Sequence, residues 1–371
     1  MQDAALNALH THVLWGSFAL AMLFGAIAQR THFCTMGAVA DIVNIGDWTR
    51  MRMWVMAIGV AIIGFNSMVA LGWIEASKSL YAGPRLMWMS AIAGGAMFGF
   101  GMVLASGCGS KTLVRIGSGN LKSLVVFVVL GVAAFATLKG VTAVARVFTV
   151  DTVFVTLASG QDLPSLAAPL FGQSTGWTAA LLGWMIGGGF MIWALARPEG
   201  RTAEALLAGL GIGAVIVGVW WLSGRHGHVA EDPNTLQEAF IATNSQRMES
   251  LSFVAPVAFT LDWLMFFSDQ SKLLTLGIVS TFGVAVGSWA VAVATRSFRW
   301  EGFRNAEDTA NHLIGAVLMG VGGVTAIGCT VGQGLSGVST LSVGSFIALA
   351  AIIAGAVAAL KYQMWRVERQ G

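Results

Sequence analysis

Charge is the scarcest commodity in this sequence: Asp, Glu, Lys and Arg together make up 11% of 371 residues, where a soluble domain carries roughly a quarter. So few charges cannot cover a water-exposed surface, and a soluble enzyme is excluded. Cysteine is scarcer still. Cys34, Cys108 and Cys329 are the three present, an odd set without a C-x-x-C, which excludes a disulfide framework and a zinc ribbon. Six scattered histidines show no metal spacing, and no H-E-x-x-H, G-x-S-x-G, Walker A or dinucleotide fingerprint occurs. No cofactor, no metal and no conventional active site are expected. The 21 basic and 18 acidic residues leave a formal charge of +3 spread thinly, so a nucleic-acid partner is excluded as well.

Apolar residues, by contrast, make up 56% of the chain, with a mean hydropathy of +0.74. Runs of spanning length fall near 13–28, 52–74, 86–105, 123–148, 177–196, 203–223, 272–295, 312–328 and 342–366, with a weaker run at 250–267 around Asp262. The fold class is therefore an all-α polytopic membrane protein of about nine transmembrane helices, with lipid around it. The 47 glycines, nearly double the usual share of ~7%, imply close helix packing and broken helices. One integral-membrane domain over 1–371 is expected. Its most polar stretch, 224–249, contains Arg225, His226, His228, Glu231, Asp232, Pro233 and Glu238 and reads as a loop with a short helix.

The N-terminus, MQDAALNALHTH, lacks a positive segment, so the first apolar run is expected to be a retained span rather than a cleaved signal. Basic residues gather at Arg50 and Arg52, at Arg296, Arg299 and Arg304, and at Lys361, Arg366 and Arg369. By the positive-inside rule the N-terminus lies outside and the C-terminus in the cytoplasm, which requires an odd number of crossings.

A weak internal repeat organises the chain. Each cysteine follows a glycine by nine positions: Gly25 and Cys34, Gly99 and Cys108, Gly320 and Cys329. A fainter fourth copy, Gly188 and Gly189 before Arg197 and Pro198, completes two halves, about 13–150 and 170–366, the second lengthened by a polar insert at about 224–270.

Three segments can carry chemistry. In Ser106-Gly107-Cys108-Gly109-Ser110-Lys111-Thr112, two glycines flank a thiol. Non-helical backbone at membrane depth belongs where it lines a watery cavity, and a helix restarting after Gly109 would aim free N–H groups at an anion, with Lys111 adding full charge. The alternative is a turn at the bilayer surface with Lys111 and Arg115 as anchors. Gly328-Cys329-Thr330-Val331-Gly332-Gln333-Gly334 has the same turn chemistry without charge. In the third segment Arg30 and His32 precede Cys34; they suit an anion vestibule, or equally a helix end among headgroups. A lone cysteine in a membrane helix usually packs as a small hydrophobe. Three in matching positions suggest a row of soft, polarisable groups suited to a sulfur-bearing anion. The other ionisable residues fall at helix ends, and among them only Asp262 is a weak further candidate. The same thiols leave open a membrane thiol enzyme, which would need a low-pKa thiolate, or a scaffold in which they merely pack.

The segments SGCGSKTLVRIGSGNLKSL at 106–124, QRTHFCTMGAVAD at 29–41 and GCTVGQGLSG at 328–337 resemble the YeeE/YedE family of bacterial inner-membrane sulfur transporters, over most of the chain except about 224–270. That resemblance implies an hourglass-shaped helical bundle with pseudo-twofold halves. It further implies import of thiosulfate or a related sulfur or selenium anion past thiols matching Cys34, Cys108 and Cys329, and association with a small cytoplasmic sulfur-carrier protein.

Overall fold

In the computed structural model, residues 2–232 and 236–370 are described; Pro233 of the polar stretch lies outside them. The chain is mainly helical, with almost no sheet, as apolar membrane segments must be when each backbone N–H and C=O has to find its partner within the helix. In order, the helices are α1 (Gln2–Arg30), α2 (Thr35–Ile45), α3 (Thr49–Ala70), α4 (Trp88–Leu104), α5 (Gly109–Gly117), α6 (Leu121–Lys139), α7 (Val141–Phe148), α8 (Leu163–Phe171), α9 (Thr175–Leu195), α10 (Ala203–Trp221), α11 (Ala255–Met265), α12 (Leu276–Ala294), α13 (Ala306–Thr325) and α14 (Val343–Gln370).

Among the described residues, eight segments are long and apolar enough to cross a membrane: α1 with α2, α3, α4 with α5, α6, α9, α10, α12 and α14. The ninth expected run, 312–328, falls on α13. That helix has 20 residues but opens on Glu307 and Asp308, which lowers its hydropathy; it is packed between α4 and α6. The weak run at 250–267 is the 11-residue α11, about 16 Å long and too short to cross. The run at 123–148 divides at Gly140, where α6 ends and α7 begins. α7 buries none of its residues and exposes Val141, Val144, Val147 and Phe148. In place of the short helix expected within 224–249 there is a π-helical turn, Leu222–His226, and a small antiparallel pair, His228–Val229 with Ala239–Phe240.

Cross-links between helix ends define two faces of the bundle. At the face where α1 begins, His10 Nε2 lies 3.1 Å from the Leu274 carbonyl, the Ser342 hydroxyl donates to the Tyr81 carbonyl at 2.9 Å, and Leu80 N–H donates to Met248 O at 3.1 Å. At the opposite face Arg30 pairs with Glu204 at 3.4 Å, Lys122 with Asp308 at 2.7 Å, and Arg366 with Glu307. We call these the N-face and the C-face, since α14 ends at the latter.

One order of elements, a long helix, a break, a short helix or turn and a second long helix, runs four times. It occurs as α1–α2–α3, α4–α5–α6, α10–α11–α12, and α13, the turn Gly332–Gly337, then α14. Gly25, Gly99 and Gly320 are crossing points: a side chain there would strike the backbone carbonyls of Val284, Ile352 and Leu130 respectively. Small residues permit such approaches. Gly188 and Gly189 meet nothing within 4 Å, and Pro198 opens a 3-10 turn after α9 ends. The fourth break therefore lies at 250–254, just before α11, and not at 188–198, where the sequence suggested it.

Candidate functional site

Each thiol sits two residues after a residue forced into the left-handed region: His32 (φ 53°), Ser106 (φ 56°) and Ile327 (φ 59°). The last two breaks match bond for bond. Gly107 N–H donates to Met102 O and Gly328 N–H to Gly323 O, both at 2.8 Å, closing the ends of α4 and α13 in the six-to-one pattern of a Schellman stop. Glycine normally takes the left-handed place in that stop. The β-branched Ile327 costs about 1–2 kcal/mol there, and such strain clusters at working sites.

The chain then turns into the bundle, so the thiols are buried: Cys34 is 7%, Cys108 1% and Cys329 0% exposed. Gly37 N–H donates to Cys34 Sγ and Gly332 N–H to Cys329 Sγ, both at 3.4 Å, so each sulfur caps the turn that follows it. Cys108 Sγ lies 3.3 Å from Ser110 Oγ. Cys108 is within electrostatic reach of both Cys34 and Cys329. Gly109, the first residue of α5, lies against the Phe253 carbonyl, so the break at 250–254 joins the other three at the centre.

Around the thiols are polar groups that the protein leaves unsatisfied. Thr330 Oγ1 and Gln333 Oε1 are buried without a hydrogen bond, while Gln333 Nε2 donates to the Ala326 carbonyl. The Tyr81 hydroxyl, buried beside Ser252 over Gly332, also lacks a well-formed bond. Burial pushes the Tyr81 phenol up, so it remains a proton donor. Buried polar atoms normally find partners, and these three gather beside Cys329.

The N-face opens toward this centre. A vestibule of about 460 Å³ on the N-face is lined by Tyr81, Arg85, Gln161, Arg247, Gln333 and Ser345. A neighbouring cavity of about 220 Å³ reaches Gly328 past Arg146, Glu249 and Ser252. Arg85 and Arg247 have no carboxylate partner among the described residues; Arg85 stacks 4.7 Å over Phe154 and Arg247 donates to Ser79 O at 3.4 Å. Toward the C-face, Lys111 lies within reach of both Cys34 and Cys108 and makes no ion pair among the described residues. Its stem passes over Gly107, where a side chain would come within 3.2 Å. Arg30 and His32 line a smaller cavity of about 240 Å³ at that face, Arg30 being occupied by Glu204.

The Sulphur transport family matches residues 30–358, a stretch that holds all three thiol breaks and the segment 224–270 alike. The chain belongs to this family. It is 26% identical over 337 residues to the thiosulfate transporter TsuA of Escherichia coli (strain K12), covering 90% of each chain. It is 24% identical over 364 residues to the TsuA of Spirochaeta thermophila, covering 92% of this chain and 97% of that one. A 118-residue stretch is 32% identical to the probable transporter YedE of Salmonella typhimurium, covering 32% of this chain and 28% of YedE.

As a member of the Sulphur transport family the chain is a multi-pass membrane transporter, and the thiol-enzyme alternative falls. Of the residues singled out in the sequence, Cys34, Cys108, Cys329, Gly107, Gly109, Ser110, Lys111, Gly328, Thr330 and Gln333 come together at the centre. Arg30 and His32 stand further out, at the C-face. Asp262 is at the edge, on α11, paired with Lys272 at 2.6 Å. Tyr81, Arg85, Arg247, Ser252 and Phe253 also line this region, and no motif or cysteine repeat in the sequence marks them.

Proposed function

We propose that this chain is an inner-membrane permease that imports a small sulfur-containing anion, thiosulfate first among them. The observation that carries this is the recurrence of one local geometry, a left-handed residue two places before a buried thiol, at three breaks, with Cys34 and Cys329 both within electrostatic reach of Cys108. Two relatives that align over nine-tenths or more of their length are named for thiosulfate transport.

The anion is attracted to the N-face vestibule by Arg85 and Arg247 and sheds water against Tyr81, Gln333 and Thr330. It then passes Cys329, Cys108 and Cys34 in turn, each S–H donating a weak hydrogen bond to its terminal sulfur. Lys111, then His32 and Arg30, draw it toward the C-face. Weak binding at successive sites allows both capture and release. The C-face is cytoplasmic: fourteen of the 21 Lys and Arg side chains belong to segments at that face, which the positive-inside rule assigns to the inside. A small cytoplasmic sulfur carrier would meet the anion there.

Radiolabelled thiosulfate uptake into cells stripped of their other sulfate and thiosulfate importers tests the reading, with unlabelled sulfate, sulfite and selenite as competitors. Uptake that requires Cys108 and yields to sulfur or selenium competitors ahead of sulfate is expected. No uptake by the wild-type chain would sink the thiosulfate assignment.

A further inference from the structure

Away from the thiol axis, two cavities meet at the C-face edge of the bundle. One is an apolar trough of about 600 Å³ between α2, α3, α9 and α14, walled by Val39, Ile42, Val55, Phe190, Ile353 and Val357. The other is a chamber of about 520 Å³ lined by Asp47, Thr49, Arg52, Arg197 and Glu199. Trp48 and Trp193 line both. Their rings pack edge to face with centroids 6.0 Å apart, and the Arg52 guanidinium lies 4.6 Å over Trp193 while its Nη1 donates to the Trp193 carbonyl at 2.7 Å.

The pair of tryptophans at the ends of α3 and α9 marks the depth of the membrane–water boundary. Val55 lies seven residues beyond Trp48 along α3, about 10 Å deeper, so the trough runs into the hydrocarbon layer while the chamber stays among headgroups. The chamber holds charges of both signs. Arg52, Arg197, Asp47 and Glu199 make no ion pair among the described residues, and Thr49 donates two hydrogen bonds to Asp47 that favour its ionised form.

We propose that trough and chamber together bind one zwitterionic phospholipid with a primary-amine headgroup, its acyl chain against the trough, its phosphate on Arg52 and Arg197, and its ammonium on Asp47 and Glu199. An anionic phospholipid would leave both carboxylates facing like charge, and a free phosphate would leave the trough empty. The site has a consequence for transport. Val39, Ile42 and Val43 on its wall belong to α2, the helix whose first turn is capped by Cys34, so the lipid braces the element that carries the innermost thiol.

Native mass spectrometry of the full chain, exchanged into micelles doped in turn with phosphatidylethanolamine, phosphatidylcholine and phosphatidylglycerol, tests this directly. One phosphatidylethanolamine should be retained several-fold more than either competitor. Arg197→Ala should reduce all phospholipid retention, and Asp47→Asn with Glu199→Gln, both exposed side chains whose amide oxygens remain acceptors, should shift preference toward phosphatidylglycerol. Equal retention of the three lipids, retention of none, or a preference unchanged by the charge variants would overturn the assignment. The readout is independent of the transported anion, so its failure would leave the thiosulfate reading untouched.

Discussion

The Gly332 amide points at the Cys329 sulfur across 3.4 Å, and Gly37 addresses Cys34 across the same distance. Each of these two sulfurs is thus a cap on the turn that follows it, and in the proposed pathway a contact for the anion as well. Caps favour oxygen acceptors, so a sulfur in this place gives up some local stability for its softness and its weak S–H donor.

Cys329→Ser separates the two roles. The hydroxyl is a better acceptor for Gly332 N–H, so the fold and membrane insertion should be retained, with a melting temperature within about 2–4 °C of wild type. Thiosulfate uptake should nevertheless fall at least about tenfold, the loss of roughly 1.4 kcal/mol along the path. Fluorescence-detected size exclusion and an uptake assay on the same preparation check both. Full uptake by the serine variant would show that sulfur at this position is a cap and nothing more.

Gly109→Ala probes the convergence of the breaks. A Cβ at Gly109 runs into the Phe253 backbone carbonyl, which has no flexible side chain to move aside. Overpacking of this kind costs about 1–3 kcal/mol, and here it separates the 250–254 segment from Cys108. Expected are lowered thermal stability and lost uptake together, with Gly188→Ala, which meets nothing within 4 Å, as the silent control.

How much of this could be read from the chain follows from what each part of the site is made of. The thiol breaks were legible because a glycine at a helix crossing must sit a fixed rise before the centre, so Gly25, Gly99 and Gly320 stand nine residues ahead of their cysteines. The fourth break was not: Ser252 and Phe253 are separated from α10 by the polar insert, and neither residue type announces a turn. Arg85 and Arg247 read as ordinary loop cations. β1 (Arg85–Leu86) pairs with β2 (Val155–Thr156) while Arg247 donates to Ser79 O, and only this folding of the loops over the N-face vestibule brings the two guanidinium groups to one mouth. Asp262 looked conspicuous in the sequence because it interrupts an apolar run, and Lys272 accounts for it.

Arg85→Gln with Arg247→Gln should slow capture without blocking passage. Charge at a mouth raises local anion concentration and on-rate, by tenfold or more in favourable geometries, and the effect fades with ionic strength. The double variant should raise the apparent KM for thiosulfate about tenfold at low salt and leave the maximal rate close to wild type, with the difference shrinking as salt is added. A fall in maximal rate at unchanged KM would place these side chains in the passage step instead.

Glu249 gives the cavity beside the vestibule a pH dependence of definite sign. Burial raises its carboxyl to about 7, against hydrogen bonds from the Asn244 amide and Ser245 hydroxyl that favour the charged form. The folded protein therefore holds a proton here that the unfolded chain, with an ordinary carboxyl near 4.5, has already lost. Stability contributed by this group is complete below about 4.5 and declines as pH rises toward about 7. The cavity it lines holds Arg146 from α7 and opens on Gly328, with Asp151 already paired to that arginine at 3.1 Å. Above about pH 7 a second carboxylate thus appears beside the proposed path of the anion and offsets the attraction of Arg146, which lines the same cavity. Uptake measured in proteoliposomes at fixed membrane potential should drop as the outer pH is raised through about 7, and Glu249→Gln should flatten that profile while removing the decline in melting temperature over the same window. A profile identical in the two proteins would mean that Glu249 stays neutral throughout or stands too far from the anion to matter, and the shared cavity would then be structural.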